Sequence, residues 1–397
     1  MIEFNVEQEL TSTCGASIKV MGVGGAGGNA INSMIQVGDV EEVTYIIANT
    51  DAQALNLSQA QEKIQLGSKI TKGLGAGSNP EIGRRAAEES IEEIMNSIAG
   101  TDILFLAAGL GGGTGSGALP VIAEAAKEQG ILTVAIVTKP FLFEGKRRLA
   151  YSDHAVKQLR SVVDTYIVVP NQKLLEVADP KISMMDAFIL SNNVLHQAIK
   201  GISDIIIKTG LINVDFADVR TVMKDMGRAI MGTARCKGEG RAAQAALDAI
   251  NSPLLENINI SGAQGILINI TGNSDIGLHE INDASQVVYD MVKEDANIIL
   301  GSVIDPSMTD EIMVTVIATG FNEESDDSLL SLSEGSNNLL TSKKKLPVIE
   351  QSSHEAVLAD FVKEESGTTI QEEKRDAFYD IDTPTFLRKK MESDHKI

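Results

Sequence analysis

Two glycine-rich stretches limit what this chain can fold into. Residues 22–28 (GVGGAGG) and 111–117 (GGGTGSG) each follow an apolar run patterned as a buried strand, and each precede a segment patterned as a helix. Glycines in a strand-to-helix turn let backbone N–H groups close on an anion, and the helix N-terminus adds a partial positive charge. The pattern therefore predicts a phosphate site at the carboxyl ends of neighbouring strands. Further apolar runs, TYIIAN, LTVAIVT and TYIVVP, alternate with helical segments such as residues 80–98. That alternation predicts an α/β fold with a parallel sheet covered on both faces.

The rest of the chain divides by composition. Residues 1–14 read as a flexible N-terminus and residues 15–182 as a Rossmann-like nucleotide-binding domain. In residues 183–208, Met184, Phe188, Leu195, Ala198, Ile202 and Ile205 recur at helical spacing, which predicts a long central helix of ~39 Å. With the loop after it, this segment extends to residue 213. Residues 214–322 follow as a second, smaller α/β domain, with helices near residues 241–250 and 278–292 and strands GILINIT, NIILGSVI and EIMVTVIAT. From residue 323 to about 375 the chain turns to Ser, Asn, Glu, Asp and Lys, which predicts a disordered linker. In residues 376–397, Phe378, Tyr379, Ile381, Phe386 and Leu387 gather beside Arg388, Lys389 and Lys390, the makings of a docking peptide.

Charge and cysteine content exclude several classes. Lys and Arg number 34 against 55 Asp and Glu over 397 residues, a formal charge of −21, the wrong sign for gathering nucleic-acid phosphates. Cys14 and Cys236 stand in no metal-ligand spacing and form no disulfide framework, so a reducing cytoplasm is expected. The opening MIEFNVEQEL carries acids where a secretory leader carries bases, and no apolar run reaches the ~18 residues of a spanning helix. No direct membrane insertion is expected.

Gly22, Gly24 and Gly27 satisfy GxGxxG, and Asn49 and Asp51 end the next strand where a dinucleotide fold places its ribose acid. That stretch alone suits a nicotinamide-dependent oxidoreductase. The second stretch favours a nucleotide with a longer phosphate chain, because a simple dinucleotide fold needs no second cradle. There is no GxxxxGK[ST], so terminal phosphate charge must be met by amides, hydroxyls such as that of Thr114, and Mg²⁺.

The segments GVGGAGGNA, NTDAQAL, GLGAGSNP, GGGTGSG, PFLFEGKRR, VPNQKLL and NVDFADVRTVM, in this order over residues 15–321, resemble the tubulin/FtsZ family and its bacterial cell-division branch. The resemblance implies GTP and GDP as ligands. It places Gly24, Gly25, Asn29, Gly75, Ala76 and Gly77 around the phosphates with Gly111, Gly112, Gly113, Thr114, Gly115, Ser116 and Gly117. Glu144 and Arg148 fall at the ribose and phosphates, and Asn171 beside the ribose and base. Phe188 and Asn192 lie four apart on one helix face, where the ring can stack on a purine and the amide read its edge. Many relatives carry Asp at position 192, whose two acceptors suit guanine donors, whereas an amide offers one donor group and one acceptor.

Asn213, Asp215 and Asp218 come together after the long helix. Carboxylates there can orient an attacking water or, equally by composition, serve as a helix cap and a surface acid. Asp215 stands roughly 30 Å along a straight helix from Asn192, so these acids are out of reach of their own nucleotide. Acting on a neighbour's requires a heterologous, head-to-tail contact. The resemblance implies that arrangement: filaments of GTPase subunits with shared sites, gathered beneath the membrane as a cytokinetic ring at mid-cell. It also implies that residues 380–390, with Asp382, Pro384, Phe386, Leu387 and Arg388 in the family pattern and Thr383 departing from it, bind membrane-tethering and regulatory division proteins.

Overall fold

A computed structural model describes residues 15–321 apart from 39, 41, 209 and 253–259. The expected N-terminal arm, linker and docking peptide lie outside the described residues. A single sheet of eleven strands organises the rest. Its first half consists of β1 (Ile18–Val23), β2 (Val43–Asn49), β3 (Glu62–Gln65), β4 (Ile103–Gly109), β5 (Leu132–Lys139) and β6 (Thr165–Pro170), and its second of β7 (Gly210–Ile212), β8 (Gly227–Lys237), β9 (Gly265–Gly272), β10 (Asn297–Ile304) and β11 (Glu311–Thr319). The order is β3-β2-β1-β4-β5-β6-β8-β11-β9-β10-β7.

Strands β1 to β6 pair in parallel, as their unbroken apolar runs require, because both faces are covered. Alternate residues of each strand enter opposite cores. Val20, Ile47, Phe105 and Ile136 face one side, with Ile31 and Met34 of α1 (Gly24–Val37) and Leu195, Ile199 and Ile202 of the long helix. Met21, Ile46, Leu104 and Leu106 face the other. There they meet Ala86 and Ala87 of α4 (Pro80–Glu89), Ile94 and Ile98 of α5 (Ile91–Ile98), Leu119 and Ile122 of α6 (Gly113–Glu128), and Leu159 of α7 (Lys146–Val162). Each of the Val, Leu, Ile, Met and Phe side chains among them contributes roughly 1.5–3 kcal/mol by leaving water. Two short helices, α2 (Ala52–Leu57) and α3 (Ser68–Thr71), fill the links on either side of β3.

The helix expected over residues 80–98 is two helices. The chain breaks at Ser90, whose hydroxyl accepts the Gly67 N–H at 3.0 Å and donates to the Gln65 carbonyl at 3.4 Å. A side chain bonding to distant backbone competes with helix continuation.

Beyond β6, α8 (Asn171–Val177) leads into α9 (Met184–Ile207), the predicted long helix. The Ser183 hydroxyl caps it by accepting the Asp186 N–H at 3.1 Å. The expected boundary near residue 214 falls within a continuous sheet: β6 pairs in parallel with β8 through Thr165–Gly227, Tyr166–Arg228 and Ile167–Ala229. From there the pairing becomes mixed, with β11 antiparallel to both β8 and β9. One face of this half carries α11 (Arg241–Ile250) and α12 (Leu278–Tyr289) over Ile266, Ile268, Ile270, Val314 and Val316. Leu267 and Ile317 face α9, which spans both halves. A further helix, α10 (Phe216–Met223), follows β7. Strand β8 was not expected from the sequence, because its apolar half gives way to Thr233, Arg235 and Lys237, which lie toward the surface.

Candidate nucleotide site

Sheet order reverses between β1 and β4, which are paired neighbours although two strands and five helices lie between them in the chain, and such a switch opens a crevice at the strands' carboxyl ends. Both glycine stretches emerge there. Gly24 has φ +74°, and a Cβ on it would lie 3.0 Å from the Gly115 nitrogen and 3.3 Å from Thr114 Cβ, so the two turns touch. The Thr114 hydroxyl lies 2.7 Å from that of Thr50, tying in the end of β2. The Ser116 hydroxyl accepts the Gly111 N–H at 2.8 Å and holds the turn shut.

Two helices therefore begin side by side, and neither start is capped. No side chain caps α1 or α6, and neither has an acid in its first turn. Of the other helices, α2, α4, α9 and α10 are each capped by a side chain, while α3, α5, α7, α8 and α11 also start uncapped. The first-turn amides of α1 and α6 thus lack protein acceptors of that kind, and two converging dipoles favour an anion. This donor set fits phosphates.

The glycines divide by what surrounds them. A Cβ at Gly25 or Gly112 would meet nothing within 4 Å, and the same is true at Gly75 and Gly77, where φ is +84° and +57°. These are open positions at which backbone can face a ligand. A Cβ at Gly117 would fall 1.9 Å from the Pro80 carbonyl oxygen, one at Gly115 would fall 2.6 Å from that of Gly109, and one at Gly113 would fall 2.8 Å from the Asn79 nitrogen and 2.9 Å from Ala76 Cβ. Their missing side chains let α4, the 76–79 turn and α6 pack together. The loop's glycines thus serve both a cradle and a close helix contact.

Beside the cradle, Glu144 and Arg148 pair with each other, Oε2 to Nη1, at 2.7 Å, and Glu144 Oε1 accepts the Phe141 N–H at 3.0 Å. Arg148 lies against Gly111, whose Cβ would be 2.9 Å from the Arg148 carbonyl oxygen. Asn171, at the start of α8, is buried, and its Oδ1 accepts the Ser191 hydroxyl at 2.8 Å. Phe188 is 38% exposed and meets buried Phe141 edge to face at 5.5 Å, while Phe143 stacks on Phe141 at 5.1 Å. Asn192 is half-buried and Asn29 exposed. Thr50, Phe141 and Phe143 were missed among the candidate residues. PFLFE shows two aromatics bracketing Leu142, but nothing in that spacing tells which of them a distant helix will meet.

Asp51 is engaged elsewhere. Its Oδ1 accepts the Gln53 and Ala54 N–H groups, capping α2. The carboxylate required at a dinucleotide ribose is thus committed to a helix start.

Asn213, Asp215 and Asp218 sit at the other end of α9, exposed on the turn between β7 and α10. Asp215 caps α10 by accepting the Asp218 N–H at 2.8 Å, and Asn213 Oδ1 accepts the Gly210 N–H at 2.7 Å. The helix ends at Ile207, so it carries the chain only ~22 Å from Asn192 before β7 pairs with β10. Among the described residues, no hydrogen bond or ion pair joins this turn to the glycine cradle. Nor is any group of three or more His, Cys, Asp or Glu among them placed to hold a metal ion. A magnesium ion fits this set as a phosphate-borne, largely hydrated ion, with hydroxyls rather than a carboxylate cage nearby.

Residues 17–179 match the tubulin/FtsZ family GTPase domain, and residues 227–322 match the FtsZ family C-terminal domain. Among solved structures, the empty FtsZ dimer of M. jannaschii is 43% identical, with 77% of this chain and 88% of that one covered and a TM-score of 0.74. The GTPγS-bound protofilament of CetZ2 from Haloferax volcanii shares the fold, at 22% identity and a TM-score of 0.67, with 82% of this chain and 100% of that one covered. The motif resemblance and the expected fold class are borne out.

Proposed function

The chain belongs to the tubulin/FtsZ family of GTPases, and from that premise we propose that it assembles head to tail into filaments whose contacts complete the hydrolytic site. The observation that carries this is the separation of parts: an uncapped double helix start suited to phosphates lies at one end of α9, and the exposed Asn213, Asp215 and Asp218 lie beyond the other. Stacking one subunit on the next brings these acids to the neighbour's GTP, where they orient the attacking water. Mg²⁺, when bound, supplies counter-charge for the phosphate oxygens. Phe188 and Asn192 receive guanine, Asn171 and Glu144 the ribose, and Arg148 the ribose and phosphates.

Exposed apolar residues support such contacts. Leu74, Phe143, Met184 and Met185 lie toward the cradle end, and Leu211 and Ile212 beside the acids, all well exposed. The M. jannaschii relative is an FtsZ dimer. On this proposal the filaments form the cytokinetic ring at a bacterial division site, in the cytoplasm beneath the membrane, with residues 380–390 binding tethering and regulatory proteins. Among the described residues no helix is long and apolar enough to cross a membrane.

Light scattering and phosphate release, followed together across protein concentration with GTP, ATP or NAD, test the proposal. Cooperative onset with GTP alone supports it. Turnover proportional to concentration in dilute, unassembled protein refutes the shared site, and a preference for ATP refutes the guanine assignment.

A further inference from the structure

The end of α9 carries Lys200 and Asp204 four residues apart, and Lys208, four further on, is its C-cap residue. Among the described residues Asp204 is one of two buried acids, with its side chain 4% exposed. Its Oδ2 lies 2.8 Å from Lys200 Nζ and its Oδ1 3.1 Å from Lys208 Nζ. The lysine side chains are 13% and 27% exposed. A fourth charge faces them from the other half of the sheet. Asp305, just after β10, has its carboxyl pushed up by burial, but the Ser307 hydroxyl and amide together with Lys200 and Lys208 outweigh that and leave it below the usual carboxylate range. The Ser307 hydroxyl and N–H bond to Asp305 Oδ1 at 2.6 and 2.9 Å.

Asp204 thus locks Lys200 and Lys208 together along the end of α9, and Asp305, in the turn that follows β10, lies within the field of both lysines. The lock stands where the acidic loop begins. Lys208 caps the end of α9, with its N–H bonded to the Asp204 carbonyl at 2.9 Å, and the chain then enters β7. That three-residue edge strand is held to the sheet by pairing of Gly210 and Ile212 with Val303 and Ser302 of β10, immediately before Asp305. A Cβ on Gly210 would lie 1.5 Å from the Ser302 carbonyl oxygen, so the approach is close and leaves little freedom of placement. Asn213 then folds back onto the Gly210 N–H. No hydrophobic stripe anchors this segment: Leu211 and Ile212 face outward, 56% and 36% exposed.

We propose that Asp204 is a positioning residue for GTP hydrolysis: by pinning Lys200 and Lys208 it fixes the exit of α9 into β7, and so sets where Asn213, Asp215 and Asp218 stand for the neighbouring subunit. This rests on the reading that those acids act in the neighbour's site. Asp204 touches no substrate itself. Its loss leaves two half-buried ammonium groups with one carboxylate fewer, and their repulsion displaces Lys208 where it leads into the short edge strand β7. The cradle, at the far end of α9, is untouched.

The test measures steady-state GTP turnover of the full chain against protein concentration. The slope reports kcat per assembled subunit, and the intercept reports the assembly threshold. For Asp204→Asn we expect a slope about tenfold lower with threshold and KM for GTP within about twofold. Asp204→Glu, which keeps both ion pairs, should recover most of the slope. In an Asp218→Asn background, adding Asp204→Asn should cost nothing more, because a residue that acts only by placing Asp218 has nothing left to place.

If Asp218→Asn cuts turnover severely while Asp204→Asn leaves the slope intact, the positioning role is overturned and the shared site stands. If Asp218→Asn itself leaves turnover intact, both fall. A slope, threshold and KM that worsen together, or a multiplicative double variant, make Asp204 merely structural and also overturn the proposal. Should Asp204→Asn not fold, Lys208→Gln breaks one arm at its more exposed end and is read by the same criteria.

Discussion

At the scale of single residues, the GGGTGSG loop separates two demands that a motif presents as one. Gly112 has an extended backbone, φ −86° and ψ 177°, with open space where a side chain would go. Gly117 faces the Pro80 carbonyl at a distance no Cβ can occupy. Gly112→Ala is therefore expected to fold with a melting midpoint close to the parent's while losing GTP affinity, because the added methyl stands where phosphate would approach. Gly117→Ala is expected to cost about 1–3 kcal/mol through forced displacement of α4, measurable by urea unfolding without nucleotide. Equal stability losses in the two variants would show that both glycines serve packing. The hydroxyl pair of Thr50 and Thr114 joins the same cradle, yet Thr50 carries no sequence signal of its own: a threonine at the end of a strand is ordinary until the neighbouring loop is seen to fold against it.

At the scale of elements, Asp215 has a local task as well as the proposed catalytic one. It caps α10, and removing a cap costs typically ~1 kcal/mol, whereas asparagine caps about as well as aspartate. Asp215→Ala should lower both unfolding stability and turnover, while Asp215→Asn should keep stability and lose turnover alone. Full activity in Asp215→Asn would reduce the residue to its capping role. Elements with strong periodicity were legible in the sequence: β1, β2, β4 to β6 and β9 to β11 as apolar runs, and α9 to within a residue at each end, because Ser183 is a good cap and the apolar spacing is sustained. The others owe their form to tertiary contact. Ser90 breaks a helix by bonding to residues 65 and 67, β7 exists because β10 offers it an edge, and β8 stays extended where its composition turns polar because β11 pairs with it from Ala229 to Lys237. The aromatic set of Phe141, Phe143 and Phe188 joins two distant segments, so only half of it, Phe188, announced itself through helix geometry.

At the scale of the whole molecule, a sheet that continues from β6 into β8 makes the two halves mechanically one body, with α9 packed across both. A shared site then predicts complementation. A subunit carrying Gly112→Ala supplies intact acids but binds nucleotide poorly, and one carrying Asp218→Ala binds nucleotide but supplies a defective loop. Each alone should be nearly silent in phosphate release. Mixed in equal amounts and assembled at random, about a quarter of contacts would pair a good cradle with a good loop, and activity should reappear in that proportion. No recovery would mean that each subunit cuts its own GTP. The length of α9 has a further consequence. On the proposed shared site, a spacer rod that keeps fuel and igniter at opposite poles would let a solitary subunit stay charged for as long as it drifts alone, with consumption metered by neighbours found rather than by time elapsed.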